Sequence, residues 1–345
     1  MALPTDPRSI NNILATTLDA QLSEITDNFF NTNALFQKLF LQYKAGFNTI
    51  KYRGGAEIRS AIQYAGLPAY MYEKGTTFDT SQTEFLTSLQ FQWRRAAALL
   101  NLDHLDVRKN MGDESQIIDY VAAVAQNGVN SVYNMIGYRI YGTQPNATTG
   151  VTEANPAPTI DPITGAASID GLYNGIATTG SYGGITLGGN FGTPGFSVTS
   201  NIVNAGGAPF SLDIAQEAYG LATFAQDQPD LIVTTQKQFN AFWQRAQPQD
   251  RNAPGPLRDV GFRTVKFNQA EVIVDSHCLP GDMYFLDTKY IEVWIMDGCD
   301  FVRRSGEPLG FPVPTQDAFV DQLIAYLDLI IPGPRYQSKL TNLAE

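Results

Sequence analysis

Residues 261–303 read GFRTVKFNQAEVIVDSHCLPGDMYFLDTKYIEVWIMDGCDFVR. Aromatic, branched and amide side chains, punctuated by Gly281-Asp282 and Asp297-Gly298, predict a meander of strands joined by tight turns. Asp297-Gly298, set between Trp294-Ile295-Met296 and Cys299-Asp300-Phe301-Val302, carries a type I′ hairpin signal. The stretch has the side-chain density of a packing surface and few of the groups an active site uses.

Working upstream, a helix is expected at about 213–226, then a strand at Asp230-Leu231-Ile232-Val233. A second helix at 235–247 follows, bearing Phe239, Phe242 and Trp243. This helix–strand–helix unit makes the class α+β or mixed α/β. Residues 143–210 are rich in Gly, Thr, Asn and Pro. Leu172, Tyr173, Ile176, Tyr182, Ile185, Leu187 and Phe191 nevertheless predict irregular packed structure there.

The clearest helix is 113–141. Asp113 and Gln116 form a capping-box pattern, Ile117, Val121, Val124, Gly128, Val132, Met135/Ile136 and Ile140 line one stripe, and Arg139 and Gly142 are stop signals. Residues 47–110 instead read as a long two-stranded excursion. One run reaches Tyr64, Gly54-Gly55 interrupts it, a turn falls at Glu73-Lys74-Gly75-Thr76, and a second run spans 83–93. A lone hairpin is not stable in water and needs a surface to lie on, which a neighbouring copy could supply. Residues 1–17 read as an arm, and 18–43 carry a helical period ended by Gly46. Downstream, a strand over 323–331 is expected to close the chain before Pro332.

Composition narrows the function. The 345 residues carry a net charge of −11, and between Ile140 and Gln236 the acids Glu153, Asp161, Asp170, Asp213, Glu217, Asp227 and Asp230 meet no Lys or Arg. A dedicated nucleic-acid binder would present a basic face. Two cysteines, Cys278 and Cys299, are too few for a disulfide framework, so a reducing compartment is expected. The opening MALPTDPRSINN lacks the basic and apolar regions of an export signal, and no apolar run reaches the length of a membrane span.

The residues that carry most enzyme chemistry are sparse. His277 and Cys278 are adjacent in a strand reading and point to opposite faces, which disfavours joint chelation. His104 lies in a polar turn between Asp103 and Asp106. Asp297/Asp300 and Asp103/Asp106 are carboxylate pairs, but both read as turns. Gly183-Gly184 and Gly188-Gly189 lack the following Lys-Ser/Thr of a phosphate loop. Arg53-Gly54-Gly55 is a single occurrence, and Arg94-Arg95 and Arg303-Arg304 read as salt-bridge partners.

Three stretches, read in order, carry a resemblance. They are Tyr52-Arg53-Gly54-Gly55, the GLYNGI of 171–176 and above all the GDMYFLDTKY of 281–290. With the order of parts around them, the chain resembles the major capsid protein of tailed bacteriophages, the Hong Kong 97-like fold shared with encapsulin shells. The resemblance implies an α+β chain with an N-terminal arm (1–45), an extended β-hairpin loop (46–110) and a peripheral-domain spine helix (111–142). An axial domain (143–275) and peripheral-domain strands with the C-terminus (276–345) complete it. It implies a non-enzymatic subunit without cofactor, metal or membrane, assembling with itself into hexamers and pentamers of an icosahedral shell around double-stranded DNA that it does not bind specifically. A separate scaffolding protein, a portal and a decoration protein are the further partners implied. The location implied is the virion, after synthesis in the cytoplasm of a host bacterium. The loop tip, Tyr72, Glu73, Lys74, Gly75, Thr76, Thr77 and Phe78, is the expected intersubunit contact, and Lys74 is the candidate donor for a crosslink of the kind some members make. An encapsulin-like compartment is the alternative, and a carboxylate hydrolase built on Asp297 and Asp300 a third reading.

Overall fold

The computed structural model describes residues 34–41, 49–63, 66–67, 69–78, 81, 84–106, 120–146, 148–149, 151–155, 157–187, 201–250, 265–299, 301–304 and 311–344. The first half of the chain contributes α1 (Ala34–Leu41), β1 (Thr49–Tyr52), β2 (Ile58–Gln63), β3 (Leu86–Phe91), β4 (Arg94–Asp103) and α2 (Tyr120–Tyr141). Short elements follow: β5 (Thr143–Pro145), β6 (Thr152–Ala154), α3 (Leu172–Gly175), β7 (Ser181–Tyr182), β8 (Ile185–Thr186) and β9 (Asn201–Asn204). Then come α4 (Leu212–Ala222), β10 (Leu231–Thr234), α5 (Gln236–Asp250), β11 (Val265–Phe267), β12 (Ala270–Val274) and β13 (Met283–Leu286). The last are β14 (Glu292–Met296), β15 (Val302–Arg303), β16 (Phe311–Pro312), β17 (Ala318–Ile330) and β18 (Ser338–Thr341). Internal contacts divide the chain into two compact units, one of residues 1–32, 95–136 and 296–326, the other of 33–94, 137–295 and 327–345.

The larger unit is built on a mixed sheet in the order β11-β12-β10-β13-β18-β9. β10 (LIVT) and β13 (MYFL) are buried along their whole length, as strands covered on both faces must be. Leu231 pairs in parallel with Glu271 of β12 and antiparallel with Leu286 of β13. The expected helix–strand–helix unit is α4-β10-α5. Ser211 starts α4 by accepting the Asp213 N–H on its side chain. The core gathers Tyr219 of α4, Phe239 and Phe242 of α5, and Ile232, Val272, Phe285 and Leu340 of the sheet. Phe242 is 1% exposed, so truncating it to alanine costs about 3–5 kcal/mol.

The meander expected over 261–303 is not what forms among its described residues. β11 and β12 do make a hairpin, Val265 opposite Val272. β12 and β13, however, are separated by β10, because an apolar strand needs cover on both edges and both faces and takes the central place. Asp297-Gly298 does turn, with the Cys299 N–H donating to Met296 O at 3.1 Å. Gly298 has φ +79° and Asp297 is not among the residues of positive φ, the pattern of a type II turn and not of type I′. Type II geometry splays its flanking strands. β14 and β15 each pair with β17 instead, Val293 opposite Leu329 and Val302 opposite Ile324. The strand expected over 323–331 begins earlier, at Ala318, and is not the last. β18 follows Pro332 and pairs with β13 and β9.

In the smaller unit β4, β15 and β16 pair with β17. β4 buries Ala96, Leu100 and Leu102 on one face, and Val132 and Ile136 of α2 are buried as well. A methyl added to Gly128 of α2 would lie 2.5 Å from Leu100 Cδ2, so glycine is what lets helix and strand close. The described part of the long helix has 22 residues, about 33 Å at ~1.5 Å per residue. Its predicted cap, Asp113 with Gln116, lies outside the described residues, as do 1–33 of the arm. The predicted end is present: Gly142 has φ +65° and its N–H donates to Arg139 O at 3.2 Å.

Candidate interface at the hairpin tip

Of the excursion expected over 46–110, residues 58–91 form a hairpin, while β1 pairs with β14 and β4 with β17. β2 and β3 are antiparallel from Ile58↔Phe91 to Gln63↔Leu86, and the chain between Gln63 and Leu86 extends beyond the last pair. Its root is fixed. The Gln90 N–H donates to Gly183 O at 2.9 Å, and the Phe91 ring meets Tyr182 edge-on with centroids 5.0 Å apart. The Trp93 indole donates to Gly55 O at 3.1 Å. Arg94 pairs with Asp170 at 2.9 Å.

The tip is the opposite case. Glu73 O accepts the Thr76 N–H at 3.1 Å and the Thr76 hydroxyl at 2.9 Å, and the same hydroxyl oxygen accepts the Glu73 N–H at 3.1 Å. Gly75 supplies the positive φ, +95°, that the turn requires. Tyr72, Glu73, Lys74, Gly75, Thr76, Thr77 and Phe78 are all exposed. The Tyr72 and Phe78 rings meet edge to face at 5.3 Å, and Tyr70 lies 6.4 Å from Phe78. Met71 is fully exposed and Tyr72 71% exposed, with Leu67 and Tyr70 more than half exposed. The tip thus carries an apolar cluster held together by its own ring contacts and turned to solvent. The sequence reading named 72–78 but missed Leu67, Tyr70 and Met71. Their signal was there: apolar residues run straight into a turn, where a solvated loop would be polar.

The residues weighed for chemistry are spread apart. His104 pairs with Asp317 at 3.0 Å, while Asp103 caps the Leu105 N–H at 2.9 Å, as a polar turn does. His277 is buried on Asp275, Nδ1 to Oδ1 3.0 Å, and the Cys278 thiol, pushed well up by burial, faces the carbonyls of Leu279 and Asp282. Asp300 lies outside the described residues. Arg303 holds Asp321 at 2.7 Å, Arg304 holds Gln322 at 3.0 Å, and Arg95 lies over the Tyr326 ring. Among the described residues no group of three or more His, Cys, Asp or Glu is placed to hold a metal ion, and no helix is long and apolar enough to cross a membrane.

Neither the protein-family models nor the curated proteins contain a match to this chain. Solved structures do match it from end to end. The chain is similar to a subunit of the cyanophage A-1(L) capsid asymmetric unit at a TM-score of 0.66 and 13% identity, over 95% of this chain and 97% of that one. It is similar to the capsid of a native GTA particle at 0.59 and 8% identity, over 98% and 100%. It is also similar to the holo-SrpI encapsulin complex of Synechococcus elongatus at 0.52 and 10% identity, over 100% and 97%. The chain has the α+β, Hong Kong 97-like fold.

Proposed function

We propose that the chain is the major capsid subunit of a tailed bacteriophage, a non-enzymatic protein that assembles with its own copies into hexamers and pentamers of an icosahedral shell around double-stranded DNA. The observation that carries this is the hairpin: rooted in the larger unit by Arg94 and Phe91, it presents exposed Tyr70, Met71, Tyr72 and Phe78 at its far end. A monomer gains nothing from that arrangement, and a symmetric assembly that reuses one contact does. The full-length likeness to capsid subunits supports the reading, and its higher TM-score favours a virion shell over an encapsulin-like cargo compartment.

In this reading residues 1–45 are the arm, 46–110 the extended loop, 111–142 the spine helix, 143–275 the axial domain and 276–345 the peripheral strands with the C-terminus. The net charge of −11 keeps contact with DNA weak and non-specific. The chain is made in the cytoplasm of a host bacterium, and a separate scaffolding protein, a portal and a decoration protein are its further partners. Electron microscopy of the purified protein, alone and with its scaffold, tests the proposal. Closed shells are expected. Monomers or small oligomers under every assembly condition would overturn it, and shells that enclose a protein cargo instead of nuclease-protected DNA would favour the encapsulin-like alternative.

A further inference from the structure

One carboxylate in the larger unit joins three distant parts of the chain. Asp275 follows β12 and is 2% exposed. Its Oδ1 accepts the His277 backbone N–H at 2.9 Å and faces His277 Nδ1 at 3.0 Å. Its Oδ2 accepts the Leu35 backbone N–H at 3.2 Å and the Tyr141 hydroxyl at 3.0 Å.

Leu35 is the second residue of α1, where helix N–H groups have no intrahelical partner. α1 has no acidic residue in its own first turn, and Asp275 brings a carboxylate oxygen to it as acceptor. Eight residues are too few for a helix to persist alone, and α1 depends on this docking. Leu35, Phe36 and Leu39 are buried, and Lys38 forms an ion pair with Glu271 of β12. Tyr141 is the last residue of α2. Burial, reinforced by the Asp275 charge, holds its phenol well above the usual range, so it stays a donor.

We propose that Asp275 is a latch, a single carboxylate that fixes helix α1 and the C-terminal end of α2 at the same oxygen, so that a displacement of either is passed to the other. Its consequence for assembly, an arm whose position is felt by the spine helix, rests on the capsid reading. The latch itself does not.

Hydrogen exchange on the purified, unassembled full-length chain tests it, so the result stands apart from whether shells form. In Asp275→Ala the amides of α1 exchange roughly fivefold faster, the loss of one helix cap, while those of β10 and β13 stay unchanged. Tyr141→Phe removes one donor from Oδ2 and leaves the Leu35 contact chemically intact, yet it also speeds exchange in α1. The double variant is no faster than Asp275→Ala alone, because both changes act through one carboxylate. Unchanged α1 exchange in Tyr141→Phe, or fully additive effects, would overturn the coupling. Equal acceleration in β10 and β13 would reduce Asp275 to a residue of general stability and overturn the latch. Tyr141→Phe preserves the ring and carries the test if Asp275→Ala does not fold.

Discussion

Arg94 donates from Nη2 to Asp170 Oδ2 at 2.9 Å, at the root of the β2–β3 hairpin. The bond is one part of an acid cluster. The Asp170 N–H donates to Asp328 Oδ1 at 2.9 Å, and the Asn174 amide donates to Asp170 Oδ1 at 2.9 Å. Burial pushes Asp328 well up from the usual carboxylate range, and the Asp170 charge adds to the rise. Arg94 supplies the cation beside this pair of acids.

Removing it should therefore loosen the hairpin at its base. Arg94→Ala takes the ion-pair partner away from Asp170 at a largely buried position, and about 3 kcal/mol of stability is expected to go. Denaturant unfolding measures the loss, and faster hydrogen exchange over 86–91 locates it. Arg94→Lys should recover less than half, since an ammonium lacks the guanidinium fork. An unchanged unfolding midpoint in Arg94→Ala would mean that the root is held by Phe91 and Gln90 without the ion pair.

The tip should behave in the reverse way. Replacing Met71, Tyr72 and Phe78 together by serine removes apolar surface that is already exposed in the monomer. Monomer stability should stay within about 0.5 kcal/mol. The concentration needed for assembly should rise more than about tenfold, because each side chain buried in a contact is worth about 1.5–3 kcal/mol. Thermal unfolding and sedimentation velocity read the two effects separately. Assembly at wild-type concentration would remove the tip from its proposed role.

Much of the fold was legible because local signals agreed with the tertiary result. The apolar run of β10 and the Arg139–Gly142 end of α2 each specify their element without help. The meander was misread because turn residues set the chain's local direction and not its partner. Nothing within 261–303 states that Leu231–Thr234, from upstream, will take the place between β12 and β13. β18 was missed for a related reason: Ser338-Lys339-Leu340-Thr341 has one large apolar residue, and only pairing with β13 and β9 makes it a strand. At the interface the turn was legible from Lys74-Gly75. The pairing of Arg94 with Asp170, 76 residues away, was not.

Two glycines offer a contrast that tests the packing directly. A methyl added at Gly171 would lie 2.3 Å from Ile140 O and 2.8 Å from Arg139 O, both backbone atoms that cannot swing aside. Gly171→Ala should cost about 3 kcal/mol, the upper end of the overpacking range. Gly220 lies in α4 with nothing within 4 Å of an added methyl. Gly220→Ala should stabilise by about 0.5–1 kcal/mol, the helix preference of alanine. Chemical denaturation of both variants distinguishes a steric role from a merely flexible one, since flexibility alone would give the two substitutions the same sign.

Asp287 should make stability depend on pH in the direction opposite to an ordinary surface acid. Burial pushes it up to about 6; the Lys289 backbone N–H pulls it down, and the neighbouring Asp230 and Asp227 add to the rise. An unfolded aspartate titrates near ~3.9. Below that value both states are protonated and the favourable contribution is fully present. Between about 4 and 6 the folded chain holds a proton that the unfolded chain releases, so stability falls as pH rises through this window. Asp287→Asn is neutral throughout and keeps an oxygen for the Lys289 N–H, which donates to Oδ1 at 3.1 Å. It should match the wild type near pH 4 and exceed it by on the order of 1 kcal/mol at pH 8. Thermal unfolding across that range measures the difference. A variant less stable than wild type at pH 8 would mean that the Lys289 N–H favours the charged carboxylate more than burial opposes it, and the sign of the window would reverse.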